Sequence, residues 1–183
     1  MTTAELTNRL RAVRLLITDV DGVFTDGGLY IGGEGGEYKR FHVLDGAGVA
    51  LLNAVHFPLC VISGRYSAVT AQRMRELGLE ANLYQGNLAK IEPYEQIKTR
   101  YQLRDDQIAY IGDDLVDVPL LRRVGLPVCV ANSCDEVKSY ALYITRRPGG
   151  SGAVREVIEL LLKAHNRYEE AVALLTRNTY KDT

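Results

Sequence analysis

The sequence predicts an α/β fold, a Rossmann-like three-layer sandwich around a mostly parallel sheet. Three observations carry that expectation. Short runs rich in Ile, Val and Leu recur with little polar alternation, as strands buried on both faces of a parallel sheet do. Helix-like segments separate the runs, so the strands are joined by crossovers. One glycine-rich stretch, residues 29–43, breaks the rhythm and reads instead as a β-hairpin insertion.

In chain order, the strand-like runs are residues 15–20, 58–63, 108–112, 127–131 and 142–145. Residues 67–77 read as a helix that stops at Gly78, a residue suited to the position just past a helix end. Residues 90–101 form a second helix candidate, with Pro93 confined to its first turn. Residues 117–123 are a third, with Asp113 or Asp114 available to cap it. The clearest helix is C-terminal. Val154, Val157, Ile158, Leu161 and Leu162 recur at helical spacing as one apolar stripe, and Glu159 and Lys163 pair on another face. In the hairpin, Gly32, Gly33, Gly35 and Gly36 suit a turn. Neither G-x-G-x-x-G nor G-K-[S/T] spacing is present, so no phosphate loop is expected there.

The 183 residues suit one domain spanning the chain, with the hairpin at about 29–43 and a C-terminal helix and tail at about 152–183. Hydrophobic residues make up 46% and charged residues 25%, ordinary for a globular protein with a buried core. A formal net charge of -1 and no basic stripe argue against a nucleic-acid partner. Cys60, Cys129 and Cys134 lack C-x-x-C spacing and read as free thiols of a reducing compartment. The polar N-terminus lacks a signal-peptide core, and no apolar run approaches the ~20 residues that cross a bilayer. A cytoplasmic protein without a membrane partner is the expectation.

The chemistry begins at Asp19-Val20-Asp21-Gly22, where two acids end an apolar strand and enter a glycine turn. Ligands of open α/β sheets bind outside the carboxyl ends of strands. Residues two apart on an extended chain share a face, so both carboxylates can address one ligand. One can attack phosphorus while the other gives a proton to the leaving oxygen, and a hard divalent cation such as Mg2+ offsets their repulsion. Gly112-Asp113-Asp114 and Asp117 end another strand. Asp113 can complete the metal site, with Asp114 and Asp117 orienting its waters. Ser63-Gly64-Arg65 closes a third strand with a hydroxyl, backbone donors and a cation, and Lys90 opens a helix as a point positive charge. All of these suit an anionic substrate.

The ordered series Asp19-x-Asp21-Gly22, Ile62-Ser63-Gly64-Arg65, Lys90 and Gly112-Asp113-Asp114-x-x-Asp117 resembles the four motifs of the haloacid dehalogenase superfamily. The hairpin, Asp45-Gly46-Ala47-Gly48, Gln85-Gly86 and Gly149-Gly150-Ser151-Gly152-Ala153-Val154-Arg155-Glu156-Val157 extend the likeness. They point to its capless branch of 3-deoxy-D-manno-octulosonate 8-phosphate phosphatases. The resemblance implies that Asp19 is a nucleophile forming an aspartyl phosphate and that Asp21 is the general acid and base. It makes Asp19, Asp113 and the Asp21 backbone carbonyl the magnesium ligands, and Ser63 and Lys90 the phosphate holders. It further implies a homotetramer with packed hairpins, in which a neighbour's tail, part of residues 164–183, reaches the site. A phosphorylated sugar acid would then meet Gly64, Arg65, Asp45, Gly46 and Arg146 or Arg147. Leu44 is a departure, since the branch commonly has a basic or polar residue before Asp45. The alternatives are a phosphatase of another acidic sugar phosphate, such as a nine-carbon ulosonate 9-phosphate, and a non-catalytic scaffold of the same fold. A phospho-acceptor signalling domain is disfavoured, because there the acid pair precedes the acceptor aspartate.

Overall fold

The computed structural model describes residues 3–179. Helix α1 (Thr3–Ala12) leads into β1 (Leu15–Thr18), followed by the short strands β2 (Tyr30–Ile31) and β3 (Glu37–Tyr38). Then come α2 (Val43–Ala54), β4 (Leu59–Ser63), α3 (Ala68–Glu76), β5 (Leu83–Gln85) and α4 (Ile91–Tyr101). The second half contains β6 (Ile108–Gly112), α5 (Val118–Leu121), β7 (Leu126–Cys129), α6 (Asp135–Lys138), β8 (Tyr143–Ile144), α7 (Ala153–Ala164) and α8 (Tyr168–Thr179). Six strands form one parallel sheet in the order β5-β4-β1-β6-β7-β8, and β2 and β3 pair separately as the antiparallel hairpin. Among the described residues, no helix is long and apolar enough to cross a membrane.

Alternation along β1 builds two cores from one strand. Leu16 packs with Val61, Ala109, Ile111 and Val128 beneath α2 and α7, while Leu15 and Ile17 face Cys60, Ile62, Ile108 and Tyr110 beneath α4 and α5. Every residue of β1 is buried, as is every residue of β4 and β6, because helices cover both sheet faces. Cys60 and Cys129 are free thiols inside this sheet, and Cys134 is partly exposed, in line with the expectation.

Several boundaries differ from those expected, for physical reasons. The run at 15–20 leaves the sheet after Thr18, because Val23, Phe24 and Thr25 all donate backbone hydrogen bonds to the Val20 carbonyl and curl the chain. The hairpin is shorter than 29–43. Its tip is a tight 3-10 turn at Gly33–Gly35, and Val43 already opens α2, which the His42 side chain caps by accepting from Leu44 N. The expected helix at 67–77 forms with Ser67 as its cap, and its end is marked by Gly78 in the left-handed region. Strand β5 and helices α1, α2 and α8 were not anticipated. Ala171 of α8 is fully buried and Val172, Leu174 and Leu175 pack on the core, so 168–179 is a helix packed on its own chain. The end of the expected tail, residues 180–183, lies outside the described residues.

Candidate active site

From β1 the chain runs next to β4 on one side and later returns to β6 on the other, so the carboxyl end of β1 is a switch point of the sheet. Crevices at such points are where parallel sheets bind ligands. Asp19 stands there, 5% exposed, with its backbone N–H donating to Ile111 O at 3.0 Å to prolong the β1–β6 ladder by one residue. The following loop is tied by the buried Thr25 hydroxyl, which accepts from Gly22 N and Gly27 N, both at 3.2 Å. A side chain at Gly22 would fall into Asp113 Oδ2, so only glycine lets the loop after β1 and the second acidic loop approach.

Four segments converge on a cleft of about 240 Å³ lined by Asp19, Asp21, Gly64, Arg65, Leu88, Lys90, Asp113, Asp114 and Val116. Lys90, 3% exposed at the start of α4, brings its ammonium within 3.0 Å of Asp19 Oδ1 and 2.6 Å of Asp117 Oδ1. Burial alone would lower the Lys90 pKa, but the charges of Asp19 and Asp117 outweigh it and raise it, so the group stays an ammonium. Asp117 is fully buried and saturated. Its Oδ1 also accepts from the Tyr110 hydroxyl at 2.6 Å, and its Oδ2 accepts from Asp113 N at 2.9 Å and Asp114 N at 3.3 Å. The expectation that Asp117 orients metal waters is therefore revised. With both oxygens occupied, it anchors Lys90 and shapes the second acidic loop. Asp114 caps the 3-10 turn Leu115–Asp117 through Leu115 N at 2.7 Å and also faces the cleft.

The donor set fits a magnesium ion. Carboxylate oxygens of Asp19, Asp113 and Asp117 lie within 4.8 Å of one another. Asp113 Oδ1 is buried without a hydrogen-bond partner. Burial, then the charges of Asp19 and Asp117, push Asp113 up to about 8. Asp19 is pushed to about 7, by burial first and Asp117 second, against the opposing pull of Lys90. An orphaned carboxylate oxygen and two acids displaced upwards mark a place where positive charge is short. Because Asp117 is saturated, Asp19 and Asp113 are the carboxylates of this set left for the ion, oxygen donors of the kind magnesium takes, and the resemblance adds the backbone carbonyl of Asp21 to them.

The other expected residues divide. Gly64 and Arg65 line the cleft, and Ser63 lies buried beside it at the end of β4, its hydroxyl donating to Arg65 O at 3.0 Å. Asp45, Gly46, Arg146 and Arg147 are not among the cleft residues. Asp45 is buried and accepts from Gly152 N and Arg155 N, both at 3.1 Å, which makes it the cap of α7 instead of a sugar contact. Gly46 packs against the Arg73 guanidinium. Arg146 and Arg147 border a separate cavity of about 330 Å³ with Leu44, Arg155, Glu159 and Lys163. Their backbone N–H groups are held by Glu156 at 3.0 and 3.1 Å. The Gly149–Gly152 stretch braces the loop that follows β1. Gly150 N donates to Val23 O at 3.0 Å, and any side chain at Gly149 would collide with the Gly22 carbonyl.

Sequence reasoning missed three side chains. Tyr110 is the hydroxyl that fixes Asp117; a phenol inside an otherwise apolar strand was the available signal. Glu37 and Lys39 come from the hairpin. Glu37 accepts from Ser67 Oγ at 2.6 Å and Arg65 Nη2 at 3.0 Å, and the Lys39 ammonium reaches 2.7 Å from Asp21 Oδ1. Their spacing of two along a strand was the clue, since such residues share a face.

Residues 65–158 match the family of haloacid dehalogenase-like hydrolases. A 3-deoxy-D-manno-octulosonate 8-phosphate phosphatase of Yersinia pestis is 41% identical over 170 residues, 93% of this chain and 90% of that protein. A subfamily III A hydrolase of the superfamily from Legionella pneumophila superposes with TM-score 0.92 at 42% identity, covering 95% of both chains. The Moraxella catarrhalis 3-deoxy-D-manno-octulosonate 8-phosphate phosphatase, solved in complex with magnesium, phosphate and the sugar acid, superposes with TM-score 0.89 at 36% identity, covering 94% of this chain and 98% of that one. The chain belongs to the haloacid dehalogenase-like hydrolases.

Proposed function

We propose that this protein is a magnesium-dependent phosphatase that cleaves 3-deoxy-D-manno-octulosonate 8-phosphate through an aspartyl phosphate, in lipopolysaccharide precursor synthesis. The observation that carries the chemistry is the Asp19 carboxylate at the switch point, with Lys90 at 3.0 Å and an orphaned Asp113 oxygen in the same cleft. The substrate follows from the relatives, which carry that activity in their names and match over nine-tenths of this chain.

In the first step an Asp19 oxygen attacks phosphorus as the bond to the sugar oxygen breaks. The electron pair of that bond stays on the sugar oxygen, which takes a proton from Asp21 and leaves as an alcohol. In the second step Asp21 accepts a proton from water as the water attacks phosphorus, releasing phosphate and restoring Asp19. Lys90 draws negative charge from the phosphoryl oxygens, and its place is fixed by Asp117 and, through it, Tyr110. Ser63 Oγ, released from Arg65 O, donates to another phosphoryl oxygen. Gly64 and Arg65 form the cleft wall toward the sugar. Magnesium held by Asp19, Asp113 and the Asp21 carbonyl supplies further neutralisation and in-line orientation.

We further infer a homotetramer in the cytoplasm, with residues 1–183 acting as one domain. The support for assembly is the hairpin. Tyr30, Ile31 and Tyr38 are 57%, 75% and 70% exposed, an apolar face that pairing with other copies would cover. The deciding experiment is phosphate release from a panel of sugar phosphates with magnesium. A kcat/KM for 3-deoxy-D-manno-octulosonate 8-phosphate well above all others is expected. Comparable rates on nine-carbon ulosonate phosphates would move the substrate, and no release from any compound would return the chain to the scaffold class.

A further inference from the structure

The hairpin's second strand sends two charged side chains inward and one aromatic ring outward. Glu37 and Lys39 share the inner face, while Tyr38 between them is 70% exposed. Glu37 pins the strand to the start of α3, through Ser67 Oγ at 2.6 Å and the Arg65 guanidinium at 3.0 Å. This fixes where Lys39 must go. The Lys39 side chain is fully buried, with its ammonium 2.7 Å from Asp21 Oδ1 and 3.2 Å from Thr70 Oγ1. A buried ammonium is costly unless paired, so this one holds its partner in one orientation.

We propose that Lys39 is a positioning residue for proton transfer, acting through Asp21, and that the hairpin is the device that delivers it. The inference rests on the acid and base assignment of Asp21 made above. A carboxylic acid has two oxygens, and only one of them carries the proton toward the leaving group. The ammonium stands 2.7 Å from the buried Oδ1 as an ion pair, without hydrogen-bond geometry, and this contact turns Oδ1 inward and leaves Oδ2 for the proton that passes to the departing sugar oxygen. The same contact keeps Oδ2 aimed at the incoming water in the second step.

A merely structural lysine and a proton-positioning lysine differ in leaving-group dependence. An alcohol leaves poorly without a proton, whereas p-nitrophenolate leaves without one. The test compares wild type, Lys39→Met and Asp21→Asn in rapid-mixing single-turnover experiments with magnesium. The substrates are 3-deoxy-D-manno-octulosonate 8-phosphate and p-nitrophenyl phosphate, and the readout is release of the first product. For Lys39→Met we expect sugar release to slow by about 100-fold, with the p-nitrophenolate burst within about threefold of wild type, the span that general acid catalysis covers. The intact burst also reports that the variant is folded. Equal losses on both substrates, or a loss on neither, would overturn the role of Lys39. If Asp21→Asn discriminates between the substrates and Lys39→Met does not, this proposal fails alone. If Asp21→Asn does not discriminate, the assignment of Asp21 falls and the proposal falls with it.

Discussion

Replacing Asp113 by Asn should abolish magnesium-dependent turnover and, in metal-free protein at pH 8, make the fold more stable. The reason lies in the direction of its displacement. Burial and the neighbouring Asp19 and Asp117 push Asp113 from 3.8 up to about 8. Between those values the folded chain holds a proton that the unfolded chain has released, so stability falls as pH rises through that window. The penalty is absent below about 3.8 and fully developed above about 8. A displacement of that size is worth on the order of 5 kcal/mol. Relaxation and water entry at the open side of the cleft reduce it, and we expect Asp113→Asn to gain about 2–3 kcal/mol at pH 8. That corresponds to a rise in Tm of roughly 4–12 °C for a chain of this size. The gain should shrink towards zero near pH 4.5, where Asp113 is already protonated in the fold. Calorimetric melts of both proteins in chelator, from pH 4.5 to 8.5, measure it. A lower Tm for the variant at pH 8, or a gain that ignores pH, would refute the charge-shortage account of the site.

Other outcomes follow from the same geometry. Asp19→Asn should remove turnover while leaving a cooperative melt, and wild-type rates in that variant, purified free of host phosphatase, would sink the nucleophile assignment. Excess chelator should stop phosphate release and added magnesium should restore it; magnesium should also raise Tm more at pH 8 than at pH 6, because protons on Asp19 and Asp113 compete with the ion. Tyr110→Phe deletes a buried 2.6 Å bond to a carboxylate, and we expect about 2 kcal/mol of lost stability in urea melts with a reduced kcat as Lys90 loosens. Asp45→Ala should cost about 1–2 kcal/mol through the lost cap of α7 while KM for the sugar phosphate holds, and a raised KM would return Asp45 to the substrate site.

The buried sheet was legible because periodicity is a local signal. β6 ends at Gly112 as expected, and β4 begins one residue later than the run at 58–63. Strand β5 was not, since its three residues are half-buried at the sheet edge and lack an apolar run. Helix α2 escaped notice because Gly46 and Gly48 lie within it, and glycine opposes helix on propensity alone. Packing overrides that preference: a side chain at Gly48 would collide with the Arg155 backbone on α7, so the glycine permits close contact of the two helices. Among site residues, Asp19, Asp21, Lys90 and Asp113 announced themselves as acids at strand ends and a lysine at a helix start. Asp45 misled for an instructive reason. A buried carboxylate capping a helix over a hundred residues away has the same signature in one dimension as a substrate ligand.

The site also departs from the rules that govern the rest of the fold. Elsewhere buried charges are neutralised locally: Glu156 holds two backbone N–H groups and a tyrosine hydroxyl, and Asp117 has every acceptor filled. Asp19 and Asp113 are displaced to about 7 and about 8, and Asp113 keeps an oxygen without a hydrogen-bond partner. Consistency at every other level, from apolar strands to capped helices, makes this conflict informative. A chain that could have placed Asn at 113 and gained stability instead keeps an acid there. The unfilled oxygen, the upward displacement and the glycine at 22 that admits the carboxylate are one arrangement, and a divalent cation entering the cleft supplies the positive charge it lacks.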